Sequence, residues 1–102
     1  MDWKKPENQA LVEAVLSLRT RDEGRRFLRD LLTPVEIEEF AKRFQTAQML
    51  TEKIPYSKIE KATGLSSTTV ARVSKWLQGS EGGYRTIIAR LHHHSTPLAR
   101  VG

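Results

Sequence analysis

Basic and hydroxyl side chains gather between residues 57 and 75 and offer the most specific chemistry in this 102-residue sequence. The guanidinium group of Arg72 is a planar fork that matches the two acceptors on the major-groove edge of guanine. Thr68 and Thr69 are short enough to reach base edges or a thymine methyl group. This pattern predicts hydrogen bonding to double-stranded DNA. The candidate DNA contacts are Ser57, Lys58, Lys61, Ser66, Ser67, Thr68, Thr69, Arg72 and Lys75.

The three candidates that come first along the chain have a different predicted role. Ser57, Lys58 and Lys61 would hold phosphates, because such contacts fix the register of a protein on the duplex without reading its sequence. Glu60 lies between the two lysines and opposes phosphate binding. We therefore expect Glu60 to pair with a neighbouring side chain.

Catalytic and metal-binding chemistry has no comparable pattern in the sequence. There is no cysteine, and the three histidines are adjacent at positions 92–94. Adjacent histidines point in different directions on a helix and make a poor metal site. A glycine-rich phosphate loop and a recognisable pair of carboxylates are also missing. We therefore expect no catalytic residue, no metal, no cofactor and no enzymatic activity.

The segment 55–77 must position the candidate contacts, and it has the pattern of two short helices joined at a glycine. Gly64 falls at the turn, where a positive φ costs glycine little. Ser66 can accept from the free N–H groups that open the second helix. The inward-facing apolar residues are Ile59, Val70 and Val73. This is the helix-turn-helix pattern, although an ordinary helical hairpin would also need a glycine turn. The outward basic and hydroxyl residues favour DNA binding.

Further helices are predicted on both sides of this segment. Two capping boxes, Thr20 with Glu23 and Thr33 with Glu36, mark helix starts. The predicted helices span about 8–19, a segment from about Arg21, about Pro34–Lys53, and 84–91. Leucine, valine and alanine cover more than one side of the first helix, so a partner subunit would be needed to bury it.

These features predict a single all-α domain over residues 1–91, whose first helix would be covered by a partner subunit. A disordered tail is expected over 92–102. Residues 1–40 carry seven basic and nine acidic residues, a net charge of −2, whereas residues 41–102 carry ten and three, a net charge of +7. Basic charge concentrated around the helix-turn-helix favours contact with phosphates. The apolar runs are too short to span a membrane, and no signal-peptide core follows the first lysines, so a cytoplasmic protein is expected.

Two stretches carry a resemblance to a known family. The run LLTPVEIEEFAKRF, followed by the turn and helix TGLSSTTVAR, closely resembles the Trp repressor superfamily, and more tightly its uncharacterised Trp repressor-related branch of the YerC/YecD type. The resemblance covers roughly Asn8 to Leu91. It implies a six-helix, all-α fold and an intertwined homodimer whose dimerising helices cover about 8–53 and 84–91. It also implies a sequence-specific DNA-binding regulator, a repressor, that reads a palindromic operator.

The resemblance also implies a ligand pocket. The positions that match the family's corepressor contacts are Thr33, Arg43 and Arg72. Val73 stands where the Trp repressor has glycine, and Trp76 where it has serine. The larger side chains predict that Trp76 fills the space and that tryptophan is not a corepressor here; alternatively, Trp76 packs against the final helix. Arg43 would then lack its ligand and pair with an acid such as Glu39.

Two other functions stay open at this point. A helix-turn-helix dimer could use its basic surface as a protein-interaction module that docks on the transcription machinery. A repressor controlled by a different small anionic ligand could use Arg43 and Arg72 to bind a carboxylate or phosphate.

Overall fold

The computed structural model describes the backbone of residues 1–101 and the side chains of residues 1–92. All regular structure in that part of the chain is α-helical, which confirms the predicted all-α, six-helix fold. The helices are α1 Pro6–Leu16, α2 Arg21–Leu31, α3 Pro34–Thr51, α4 Tyr56–Thr63, α5 Ser67–Gln78 and α6 Gly83–Val101. Within the described residues, no helix has the length and apolar character that crossing a membrane requires.

Side-chain caps begin α2 and α3 where the sequence predicted them. The Thr20 hydroxyl accepts from the Glu23 N–H at 3.1 Å, and Thr33 accepts from the Glu36 N–H at 3.2 Å. The Glu36 carboxylate completes the second capping box by accepting from the Thr33 N–H at 2.9 Å. Each hydroxyl satisfies a backbone donor that has no partner within its helix, so these short sequence signals fix both starts.

The end of α3 is set by a left-handed residue rather than by the following proline alone. Lys53 has φ 63°, the positive value usually left to glycine. Its N–H donates to the Leu50 carbonyl at 2.9 Å, and the Ile54 N–H donates to the Met49 carbonyl at 3.1 Å. This pair of bonds is the Schellman motif. The helix therefore stops at Thr51, two residues before its predicted end.

The contacts divide the chain into two compact units, Met1–Ile37 and Glu38–Gly102. In the first unit, neither α1 nor α2 has a buried residue, and α1 ends at Leu16 rather than at the predicted residue 19. The large apolar side chains that stay exposed on these two helices are Leu11, Val12, Val15, Leu16, Leu28 and Leu31. That a single domain spans residues 1–91 stays a prediction.

The second unit has a small hydrophobic core. Ala47 of α3, Val73 of α5 and Ile88 of α6 are buried together, and Phe44, Leu50 and Tyr84 pack around them. The rings of Phe44 and Tyr84 lie 6.4 Å apart between centroids, at a tilt of 37°. This geometry is typical of stabilising aromatic pairs. The core thus holds α3, α5 and α6 together.

Helix α6 runs to Val101, ten residues beyond the predicted end at Leu91. The backbone is therefore helical across most of the segment for which the sequence analysis expected a disordered tail. Gly102 and the side chains of residues 93–101 lie outside the described residues. Over the described residues there is no group of three or more histidine, cysteine or acidic side chains that could hold a metal ion.

Candidate nucleic-acid interface

The helix-turn-helix consists of α4, a three-residue turn and α5. Gly64 has φ 75° and ψ 5°, so it is left-handed as the sequence predicted, and its N–H donates to the Glu60 carbonyl at 2.8 Å. Ile59, Val70 and Val73 have no exposed surface, which confirms their inward placement. These buried side chains fix which faces of α4 and α5 are left outside.

A buried hydroxyl that the sequence analysis overlooked tightens the turn. Thr63 is 5% exposed, and its Oγ1 donates to the Ile59 carbonyl at 2.8 Å. The same oxygen accepts from the Leu65 N–H at 3.2 Å, which satisfies a donor inside the turn. A threonine directly before a helix-ending glycine was the available signal. Thr63 therefore supports the turn and does not belong to the outer surface.

Two of the predicted DNA contacts interact with each other at the start of α5, where Ser66 is the N-cap. Ser66 accepts from the Thr69 N–H at 3.2 Å, and the two hydroxyl oxygens lie 3.1 Å apart. Ser67 and Thr68 are exposed and form no such contact among the described residues. The N-cap role of Ser66 is confirmed. Ser67 and Thr68 thus have their hydroxyls available, whereas Ser66 and Thr69 already share theirs.

The structure brings the candidate DNA contacts to the outside of α4 and α5. One of these candidates, Thr69, is partly exposed. The other candidates are all exposed: Ser57, Lys58, Lys61, Ser66, Ser67, Thr68, Arg72 and Lys75. Within the described residues, Arg72 and the three lysines make no ion pair or side-chain hydrogen bond; the ion pairs there join Asp22 to Arg25 and Arg26. Glu60 likewise has no ionic partner in that part of the chain, so the pairing expected for it is not found. The basic charges of the surface are left uncompensated.

Arg43 has a different environment from the one expected. Its guanidinium carbon lies 5.4 Å from the ring centroid of Phe40 and 5.7 Å from that of Trp76. Both distances are within the range of cation–π attraction. No ion pair with Glu39 forms among the described residues, so that expectation was wrong. The guanidinium group lies against the two aromatic rings instead.

The predicted ligand-pocket residues fall in different settings. Val73 is fully buried in the core, so its side chain fills the space that a glycine would leave open. Trp76 is 44% exposed and borders an open groove of about 770 Å³ together with Phe44, Tyr84 and Ile87. Thr33 lies in the first unit, where it caps α3. The indole of Trp76 is thus at the rim of a groove, in contact with Arg43.

A second arginine contact escaped the sequence analysis. Arg85 of α6 donates to the Leu77 carbonyl, in the last turn of α5. A cation at the C-terminal end of a helix is attracted to the partial negative charge of the helix dipole. The bond also gives a partner to a carbonyl that has none within the helix. The two residues are eight positions apart, across a loop, and no local pattern predicts such a bond.

Comparison with known proteins gives a consistent answer. The family model described as Trp repressor protein matches residues 7–92. A protein of Bacillus subtilis (strain 168), described as uncharacterized protein YerC, is 37% identical over 86 residues, which cover 84% of this chain and 83% of that protein.

Solved structures show the same relationship. The crystal structure of a TrpR-like protein from Eubacterium eligens ATCC 27750 has a TM-score of 0.83 and 36% identity, covering 88% of this chain and 93% of that one. A crystal structure from Staphylococcus aureus matches with a TM-score of 0.81 and 33% identity, covering 90% and 95%. These matches confirm the resemblance read from the sequence and the prediction that the chain is not an enzyme, since the family consists of DNA-binding regulators. The chain therefore belongs to the Trp repressor family of helix-turn-helix proteins.

Proposed function

We propose that this protein is a sequence-specific transcriptional regulator, a repressor, that acts in the cytoplasm and reads a palindromic operator as a homodimer. The observation that carries the proposal is the division of α5 into two faces. Val70 and Val73 are fully buried on one side, while Arg72 and Lys75 are exposed and unpaired on the other. A helix held this way can present its outer side chains to a major groove.

Each part of the interface has its own task in this proposal. Arg72 reads a guanine through two hydrogen bonds, and Thr68, one helical turn before it, reaches a neighbouring base edge. Lys58 and Lys61 of α4 bind phosphates and set the register. The net charge of +7 over residues 41–102 supports the phosphate contacts, because each neutralised phosphate releases counterions.

The proposed homodimer accounts for the apolar surface of the first unit. Leu16 is 72% exposed and Val15 51% exposed, although both are apolar residues of a regular helix. Burial against a second copy would remove this surface from water, which is favourable at about 25 cal/mol per Å². A twofold dimer also presents two copies of α5, and such dimers bind half-sites about one DNA turn apart.

In vitro selection of bound duplexes from a random pool tests the proposal directly. We expect a palindrome with half-sites about 10 base pairs apart. Arg72→Ala should then weaken binding to that operator by about 1–3 kcal/mol and relax the preference at one base pair in each half-site.

Lys58→Ala is the matched control, because it removes one positive charge from the phosphate-binding side. It should weaken all DNA sequences alike and flatten the salt dependence of binding. Selection of no common sequence would contradict the proposed function. Operator binding by Arg72→Ala at the wild-type level would contradict the role given to that residue.

We also propose that free tryptophan is not the effector of this protein. Val73 has no exposed surface and contributes to the core, so no space for an indole ring is left at its position. Arg43 already contacts the Trp76 ring. Calorimetric titration with L-tryptophan should therefore show no saturable heat, and operator affinity should be the same with and without the amino acid. Tight one-to-one binding would refute this part of the proposal.

A further inference from the structure

Arg43 is held by aromatic rings rather than by an acid. Its guanidinium carbon lies between 5 and 6 Å from two ring centroids, those of Phe40 on the same helix and Trp76 on α5. The side chain is partly buried, and its Nε atom is buried without a hydrogen-bond partner in the described part of the chain. A partly buried cation needs compensation for lost water. Here the faces of the two rings supply it.

This contact joins α3 to the last turn of α5. The core beneath α5 holds the inner face of the helix, where Val73 is buried with Ala47 and Ile88. The Arg43–Trp76 contact gives the helix a second point of attachment to α3, and it restricts rotation about the helix axis because both side chains end in planar, rigid groups. The Arg43–Trp76 contact therefore limits the roll of α5 relative to α3.

The roll of α5 matters for the residue that is proposed to read DNA. Arg72 and Trp76 are four residues apart, so they lie on the same face of the helix, one turn from each other. A rotation that separates the indole from Arg43 would also turn Arg72 away from its position. Misplacement by about 1 Å is enough to break a bidentate hydrogen bond, whose donor–acceptor distances span only about 2.7–3.2 Å.

We propose that Arg43 and Trp76 are positioning residues that fix the orientation of the recognition helix α5, and that they contribute to operator specificity without touching DNA. This inference rests on the proposed DNA-binding function and deepens it. The contact lies within one chain and needs no small molecule. The protein would therefore have its recognition helix oriented at all times.

Two variants test the inference through the ratio of operator affinity to random-duplex affinity. Trp76→Ala removes the ring and no charge, and Arg43→Lys keeps the charge but loses the planar group. Each should lower operator affinity about five- to tenfold, the effect of a cation–π contact of moderate strength. Binding to random duplex DNA should change by less than about twofold, since it depends on phosphate contacts.

Lys42→Gln shows what a purely electrostatic change beside the contact does, because Lys42 neighbours Arg43 on α3 and is exposed. It should lower operator and random-duplex affinity by the same small factor. Trp76→Phe keeps an aromatic ring, so its operator affinity should lie between those of the wild type and Trp76→Ala. If the helical circular-dichroism signal showed that Trp76→Ala does not fold, Trp76→Phe and Arg43→Lys would be used to test the inference instead.

Three results would overturn the inference. Equal losses for operator and random duplex in Trp76→Ala and Arg43→Lys, with wild-type circular dichroism in both, would show that the contact supports DNA binding in general and not specificity. Wild-type operator affinity in both would show that the contact is not needed. Wild-type protein that selects no operator would instead overturn the proposed function, and this inference with it. The first two results leave wild-type operator binding intact, so the two failures can be told apart.

Discussion

Replacing Gly64 by alanine isolates the conformational requirement at the centre of the helix-turn-helix. An added Cβ at this position meets no atom within 4 Å, so the substitution causes no steric clash with the rest of the protein. The cost comes from the backbone, because φ is 75° and an L-residue pays about 1–2 kcal/mol in the left-handed region. Alanine also makes the unfolded chain less flexible than glycine does, and this stabilises the folded protein by about 0.4–1 kcal/mol. The expected net loss of stability is about 0–1.6 kcal/mol.

Two companion variants separate this cause from others. Gly64→Asn should lose less stability than Gly64→Ala, because asparagine tolerates the left-handed region better than other L-residues. Gly83→Ala is the matched control: its Cβ also meets nothing within 4 Å, and its φ is not in the left-handed range. Gly83→Ala should leave stability unchanged or raise it slightly.

Urea unfolding followed by circular dichroism measures these differences. All variants must be compared at one protein concentration, because the stability of the proposed dimer would depend on concentration. Equal midpoints for Gly64→Ala and Gly83→Ala, or a greater loss in Gly64→Asn than in Gly64→Ala, would refute the assignment of the cost to the positive φ.

Three other substitutions have effects that follow from single contacts, and the same urea titration checks each. Ser66→Ala removes the acceptor of the Thr69 N–H and should cost about 1 kcal/mol; an unchanged midpoint would show that the cap is dispensable. Lys53→Gly relieves a residue with φ 63° but makes the unfolded chain more flexible, so it should raise stability by about 0–1.6 kcal/mol, and a loss would contradict the strain argument. Thr63→Val leaves the Leu65 N–H without its acceptor and should cost about 1–3 kcal/mol, whereas a neutral result would mean that water replaces the hydroxyl.

The parts of the fold that could be predicted from the sequence are those set by local chemistry. The left-handed Gly64 and the Ser66 cap each depend on residues no more than four positions apart, so their signals are complete in a short stretch. The inward placement of Val70 and Val73 follows from helical periodicity alone. The residues of α4 and α5 that do not lie on the buried faces could then be assigned to the outer surface. The candidate DNA contacts are among them.

The parts that could not be predicted depend on neighbours distant in sequence. Arg43 was expected to find an acid, but the ring of Trp76, 33 positions away, lies over it. Arg85 meets the end of α5 only because the loop before α6 brings it there. Lys53 takes a conformation that its residue type disfavours, because the Schellman bonds around it outweigh the strain. Charge and spacing alone describe none of these relations.

According to the proposals above, contacts within the chain determine the orientation of α5. This affects how DNA binding would be regulated. The inner face of α5 is held by the burial of Val73 in the core, and the Arg43–Trp76 contact would limit rotation of the helix about its axis. No ligand is then required to complete the reading surface. Operator occupancy would depend instead on how much dimer is present, because a monomer offers one α5 and a palindrome requires two. The exposed apolar faces of α1 and α2 would therefore contribute to DNA binding indirectly, through the association that pairs the two recognition helices.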